Sequence, residues 1–107
     1  DKRMTSNELK KILDKTGLKV AYSHFNSPVE PPFITYLFRY SSNFHADNKT
    51  LKTIDNVDIE LYTSKKEPAT EKLLEDILTE HEIPFEKLET FIESERMYQI
   101  IYEVRLY

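Results

Sequence analysis

The chain of 107 residues contains no cysteine and only one glycine. Without thiols there is neither a disulfide framework nor a thiolate metal site, so the fold is indifferent to redox compartment. A lone glycine leaves no glycine-rich loop to cradle a phosphate. Long apolar runs are missing too: none approaches the roughly 18 residues of a membrane span, and Asp1-Lys2-Arg3-Met4 lacks the apolar core of a signal peptide. Met4 is the expected natural initiator, with residues 1–3 an added remnant, and a cytosolic setting is expected. Excess positive charge is also absent. The net charge of -4 argues against a general nucleic-acid binder, which places a basic surface against phosphates. Lys49, Lys52, Lys65 and Lys66 lie among acidic residues and read as solvated loop charges.

What remains is the composition of one folded domain. Hydrophobic residues make up 39%, seven residues are tyrosine, and charged residues make up 32%, enough for one core with a solvated exterior. Residues 4–107 are therefore expected to form a single α+β domain.

Thr5-Ser6-Asn7-Glu8 is a capping box, and Leu9, Ile12 and Leu13 follow at helical spacing. Gly17 lies where a left-handed residue would end that helix. Lys19 to Phe25 is rich in β-branched and aromatic residues, and the proline-containing stretch 27–32 then interrupts regular pairing. Phe33 to Tyr40 predicts a strand with Ile34, Tyr36, Phe38 and Tyr40 on one face and Phe33, Thr35, Leu37 and Arg39 on the other. Apolar groups on both faces suggest a central strand with a helix on one side and a second sheet or a partner on the other. The polar stretch from Ser41 to Lys49 predicts a long loop carrying a large aromatic, Phe44.

Val57, Ile59 and Leu61 alternate with Asp58, Glu60 and Tyr62 as in a half-buried strand. Asp55-Asn56 suggests a turn or bulge before it, leaving the pairing of Leu51 to Ile54 open. Pro68 suits the first turn of a second helix with a stripe of Leu73, Leu74, Ile77, Leu78 and His81. Glu71, Glu75, Asp76 and Glu80 would form its solvated outer face. Phe85 to Ile92 and Met97 to Leu106 predict a hairpin around Ser94. The expected order is α-β-β-β-α-β-β, with a mostly antiparallel sheet and the helices packed on one face.

Catalytic signals are sparse. His24, His45 and His81 have no short-range ligand spacing, so neither a metal nor a cofactor is expected. His45 and Asp47 would make an acid-base pair on a loop, yet no nucleophile motif accompanies them. Glu86, Glu89, Glu93, Glu95 and Glu103 read as exposed strand residues that discourage edge pairing. The last strand is less ordinary. Tyr98, Ile100, Tyr102, Val104 and Leu106 share one face, while Met97, Gln99, Ile101, Glu103, Arg105 and Tyr107 give the other a mixed character suited either to contact with a partner or to a two-sided core strand.

Several segments together resemble a family: Val20-Ala21-Tyr22-Ser23-His24-Phe25, Pro31-Pro32-Phe33-Ile34-Thr35-Tyr36, Asn43-Phe44-His45-Ala46-Asp47-Asn48, Ile59-Glu60-Leu61-Tyr62-Thr63, Glu71-Lys72-Leu73-Leu74-Glu75 and Tyr98-Gln99-Ile100-Ile101-Tyr102-Glu103. The chain is similar to tail terminator or tail completion (head-tail joining) proteins of long-tailed phages and prophages of Gram-positive bacteria. The resemblance implies a non-enzymatic α+β structural protein that forms a ring, commonly sixfold, on the tail tube end. It also implies the tail tube protein, the head connector protein and further copies of the chain as partners, without membrane or specific nucleic-acid binding. Such a protein would work in the host bacterial cytoplasm during assembly and then in the virion. An acidic ring would also keep DNA from sticking to its wall.

Independently of the resemblance, the residues best suited to partner contacts are Phe44, His45, Asp47 and Asn48 in the expected loop. Tyr62 and Glu93, Ser94 and Glu95 at other loop ends complete the set. Alternatives are a head-closure or minor tail protein, or a small interaction module such as an inhibitor or immunity protein.

Overall fold

A computed structural model describes residues 4–46 and 50–107, with 43–46 and 50–52 described by backbone alone. The first helix, α1 (Ser6–Asp14), starts at the expected capping box. The Glu8 amide donates to Thr5 Oγ1 at 3.1 Å, and the Thr5 amide donates to Glu8 Oε1 at 2.8 Å. Both bonds satisfy amides that a helix start leaves open. Thr16 closes the other end by donating its hydroxyl to the Leu13 carbonyl at 2.8 Å, and Gly17 then reverses the chain at φ 80°.

Five strands form one sheet in the order β1-β2-β3-β5-β4. They are β1 (Lys19–Tyr22), β2 (Phe33–Ala46), β3 (Thr50–Thr63), β4 (Phe85–Ile92) and β5 (Met97–Leu106). β1 pairs parallel to β2, and the other neighbours are antiparallel. The second helix, α2 (Pro68–Glu80), connects β3 to β4. Because β3 and β4 both run antiparallel to β5, this connection is a crossover between parallel strands with β5 inserted between them.

Both helices pack on the same face of the sheet. Leu9, Ile12 and Leu13 of α1 and Leu74, Ile77 and Leu78 of α2 join Ile34, Tyr36, Val57, Ile59, Leu61, Ile100, Tyr102, Val104 and Leu106 in a single core. The ends of the two helices also meet, with Lys15 Nζ 3.0 Å from His81 Nε2.

Several expectations change at this level. The stretch expected as a loop after Tyr40 is strand as far as Ala46, because it pairs residue for residue with Thr50 to Asp55. Asp55-Asn56 is likewise neither a turn nor a bulge but part of continuous β3, and the irregularity falls opposite it, between Phe38 and Tyr40. The extra residue, Arg39, shifts the alternation, so Tyr40 sits at the level of Asn56 on the face away from the helices. The first strand ends at Tyr22, short of the expected Phe25.

The stripe on α2 is rotated from the expected one. Leu73 is 42% exposed while Glu71 is only 3% exposed. Glu71 is therefore no solvated outer residue. Its two oxygens accept from Lys66 at 2.7 Å and Lys87 at 2.8 Å, and Lys87 also reaches Glu75 at 2.8 Å. Lys66 pairs in turn with Glu89, so it is not a free loop charge. Glu75 accepts the Tyr102 hydroxyl at 2.8 Å, which ties the network to the core. Burial pushes the Glu71 carboxyl up, but the hydrogen bonds and charges of Lys66 and Lys87 outweigh it and hold the group below its ordinary range. The hydrogen bonds from Lys66 and Lys87 to Glu71 raise both ammonium groups, while burial and the Glu75 carboxylate push the Tyr102 hydroxyl up.

Candidate assembly surface

The sheet face away from the helices is the most distinctive surface of the chain. Register places its residues in cross-strand rows. One row is Phe33, Tyr62, Gln99 and Thr90; the next is Thr35, Glu60, Ile101 and Leu88; the third is Leu37, Asp58, Glu103 and Glu86.

The first row is aromatic and ordered. Phe25, from the β1–β2 connection, meets Phe33 edge-on at 5.4 Å, and Phe33 stacks on Tyr62 at 4.9 Å. Gln99 donates to the Tyr62 hydroxyl at 2.8 Å, and that hydroxyl donates to Glu60 Oε1 at 3.3 Å. Thr35 donates to the same carboxylate oxygen at 2.8 Å. Burial and the nearby Glu60 charge raise the Tyr62 hydroxyl, so it remains a neutral donor and acceptor at neutral pH.

The third row is acidic. Asp58 holds Arg39 at 3.6 Å. Among the described residues, Glu86 and Glu103 face each other across β4 and β5 without an ion-pair partner. A groove of about 340 Å³ lies at this end, lined by Arg39, Tyr40, Asn56, Asp58, Glu86 and Arg105 among others. It offers charges of both signs and apolar ring surface, which suits polypeptide contact. Leu88, 50% exposed beside Ile101, and Tyr40, 56% exposed, add apolar area.

The structure divides the expected contact residues between opposite ends. Tyr62 lies near the end of β3 on this face, beside the β4–β5 turn that holds Glu93, Ser94 and Glu95, all exposed. Phe44 and His45 lie on β2 at the other end, on a strand and not on a loop, because their backbone pairs with Lys52 and Leu51. Asp47 and Asn48 lie outside the described residues, as does any pairing of His45 with Asp47. The sequence did not single out Leu88 or the opposed carboxylates Glu86 and Glu103, which the register brings together on this face. The mixed second face of β5 was the signal, but only the register shows what lies beside it.

Among the described residues no group of three or more His, Asp or Glu side chains is gathered to hold a metal ion. His24 contacts Ser23 Oγ through Nδ1 at 3.2 Å on an exposed turn. No helix among the described residues is long and apolar enough to cross a membrane.

No protein-family model matches the chain, and no curated protein matches it. Solved structures do. A chain in a structure described as the virion of a native gene transfer agent (GTA) particle superposes with a TM-score of 0.60 at 15% identity. The match covers 88% of this chain and 81% of that chain. At this identity the likeness shows a shared fold, and it spans nearly the whole domain.

Proposed function

We propose that the chain is a non-enzymatic structural protein of a phage-like particle, acting in tail completion or head-tail joining as a ring on the end of the tail tube. The observation that carries this reading is the fold likeness to a chain of a gene transfer agent virion over 88% of the domain. The physical surface agrees with it: one sheet face is packed by helices, and the other presents stacked aromatics, exposed apolar groups and the cross-strand carboxylates Glu86 and Glu103. Head-to-tail contact in a ring needs two different patches on each subunit, and this domain has distinct features at the two ends of its sheet. Its partners are then further copies of itself, the tail tube protein and the head connector protein, first in the host cytoplasm and then in the virion.

The test is deletion of the gene from a particle-producing strain, followed by electron microscopy. Heads without tails beside tails of abnormal length are expected. Normal particles would reject the proposal, as would absence of the chain from purified particles by mass spectrometry.

A further inference from the structure

β4 is an edge strand. Among the described residues it pairs only with β5, and six of its eight residues are exposed. A free edge presents a row of unpaired backbone N–H and C=O groups, which proteins blunt with short strands, proline, bulges or charge. The opposite edge of this sheet is blunted: β1 has four residues, and where it stops the Tyr22 hydroxyl accepts the Phe38 amide at 3.1 Å. β4 is not. It contains no proline, and its register with β5 runs without a shift from Phe85 to Ile92. Two of its charges, Lys87 and Glu89, are neutralised within the chain, Lys87 by Glu71 and Glu75 and Glu89 by Lys66. They therefore guard the edge poorly.

The residues of β4 fit a second β4 laid antiparallel in one particular register. With Leu88 opposite its own copy, Lys87 falls opposite Glu89, Glu86 opposite Thr90 and Phe85 opposite Phe91. Directly opposed residues of an antiparallel pair share a face, so each of these pairs meets. Lys87 and Glu89 lie on the helix side and keep 37% and 39% of their side chains exposed. An ammonium has three donors and Lys87 directs two at Glu71 and Glu75, which leaves one for the second copy's Glu89. Leu88 lies on the other face, 50% exposed beside Ile101, and would extend that apolar row into the second copy's Leu88 and Ile101. Sliding the strands by two residues in either direction sets Lys87 against Lys87 or Glu89 against Glu89, and like charges directly opposite are destabilising. The charge pattern thus selects a single register.

We infer that two copies of the chain join edge to edge through β4, antiparallel and centred on Leu88, in one continuous sheet with the helices of both copies on the same side. The contact is isologous, so it is separate from any head-to-tail contact of a ring and does not rest on the virion reading. A seam of one strand pair is small and belongs with weak, reversible interfaces.

Sedimentation of the full chain over a concentration series up to about 1 mM tests it. A reversible dimer with a dissociation constant of about 100 µM or below is expected. Leu88→Lys and Leu88→Glu should each weaken it at least about tenfold, because a residue opposed to its own copy places two like charges together. An equal mixture of these two variants should restore the dimer as a mixed pair. Circular dichroism checks the fold, and an unfolded variant is replaced by Leu88→Cys, which is the sole thiol in this cysteine-free chain. Mild oxidation should link two copies through it. Thr90→Cys should not link, since this register leaves the two copies of that residue about 13 Å apart along the strands. A monomer throughout the series, oligomers that persist in both charge variants, a mixture that stays monomeric, or equal linking from positions 88 and 90 would each overturn the inference. None of these results bears on whether the chain enters particles, so the virion reading stands or falls by its own test.

Discussion

Glu71→Gln is the sharpest probe of how this domain is held together. The carboxylate is only 3% exposed and accepts from Lys66 at 2.7 Å and Lys87 at 2.8 Å. Glutamine keeps the shape but removes the charge and turns one acceptor into a donor facing an ammonium group. Hydrogen bonds to charged groups contribute about 1.5–3 kcal/mol each. Both lysine side chains are around two-fifths exposed, at 43% and 37%, and each keeps a second carboxylate, Glu89 or Glu75. Screening and these remaining partners bring the expected loss to about 2 kcal/mol, or about 10 °C in melting temperature for a domain of this size.

Differential scanning calorimetry at neutral pH measures that loss directly, with Lys72→Ala as a control because the Lys72–Asp76 pair is 73% and 62% exposed. The pH dependence carries a second signature. Glu71 has a lowered folded-state value, so its contribution is present above the unfolded carboxylate value of about 4 and is lost as pH falls through the folded value. The gap between native and variant should therefore close in acid. Lys66 and Lys87 have raised values, so their contribution is present below the ordinary lysine value and is lost as pH rises through the folded one. A Glu71→Gln protein that melts with the Lys72→Ala control, or a gap unchanged in acid, would refute the network as a source of stability.

Two further outcomes follow from burial and backbone. Leu78→Ala should cost about 3 kcal/mol in a urea titration, since Leu78 is fully buried, whereas the neighbouring Leu73→Ala should cost less than about 0.5 kcal/mol because Leu73 is 42% exposed. Equal costs would mean the α2 stripe is placed wrongly. Gly17→Ala should cost about 1 kcal/mol in the same titration although nothing lies within 4 Å of the added methyl, because φ is 80° there. A neutral result would show that the left-handed turn is not needed.

Local chemistry made much of the fold legible. The capping box and Gly17 delimit α1 through hydrogen bonds and dihedrals that involve a few adjacent residues. β5 was readable because its alternation is set by one buried face, whereas β4 is half-buried only at its two ends, and Pro68 marks the α2 start because it fits a first turn without an amide. The stretch after Tyr40 was not readable. Its polar residues resemble a loop, yet the backbone of a distant segment supplies the pairing that makes it strand. Glu71 misled for a similar reason, since a glutamate on a helix is ordinarily solvated until two lysines from outside that helix close over it.

The sequence by itself determined the element order, the single core and the helix boundaries, because these depend on periodicity and on neighbours a few residues away. Only the tertiary structure decided which faces meet. The Arg39 bulge sends Tyr40 away from the core, β5 inserts between β3 and β4, and the insertion sets Glu103 opposite Glu86 on a face without a helix. Those placements arise from strand register, which fixes partners far apart in the chain and which no local pattern of residues specifies.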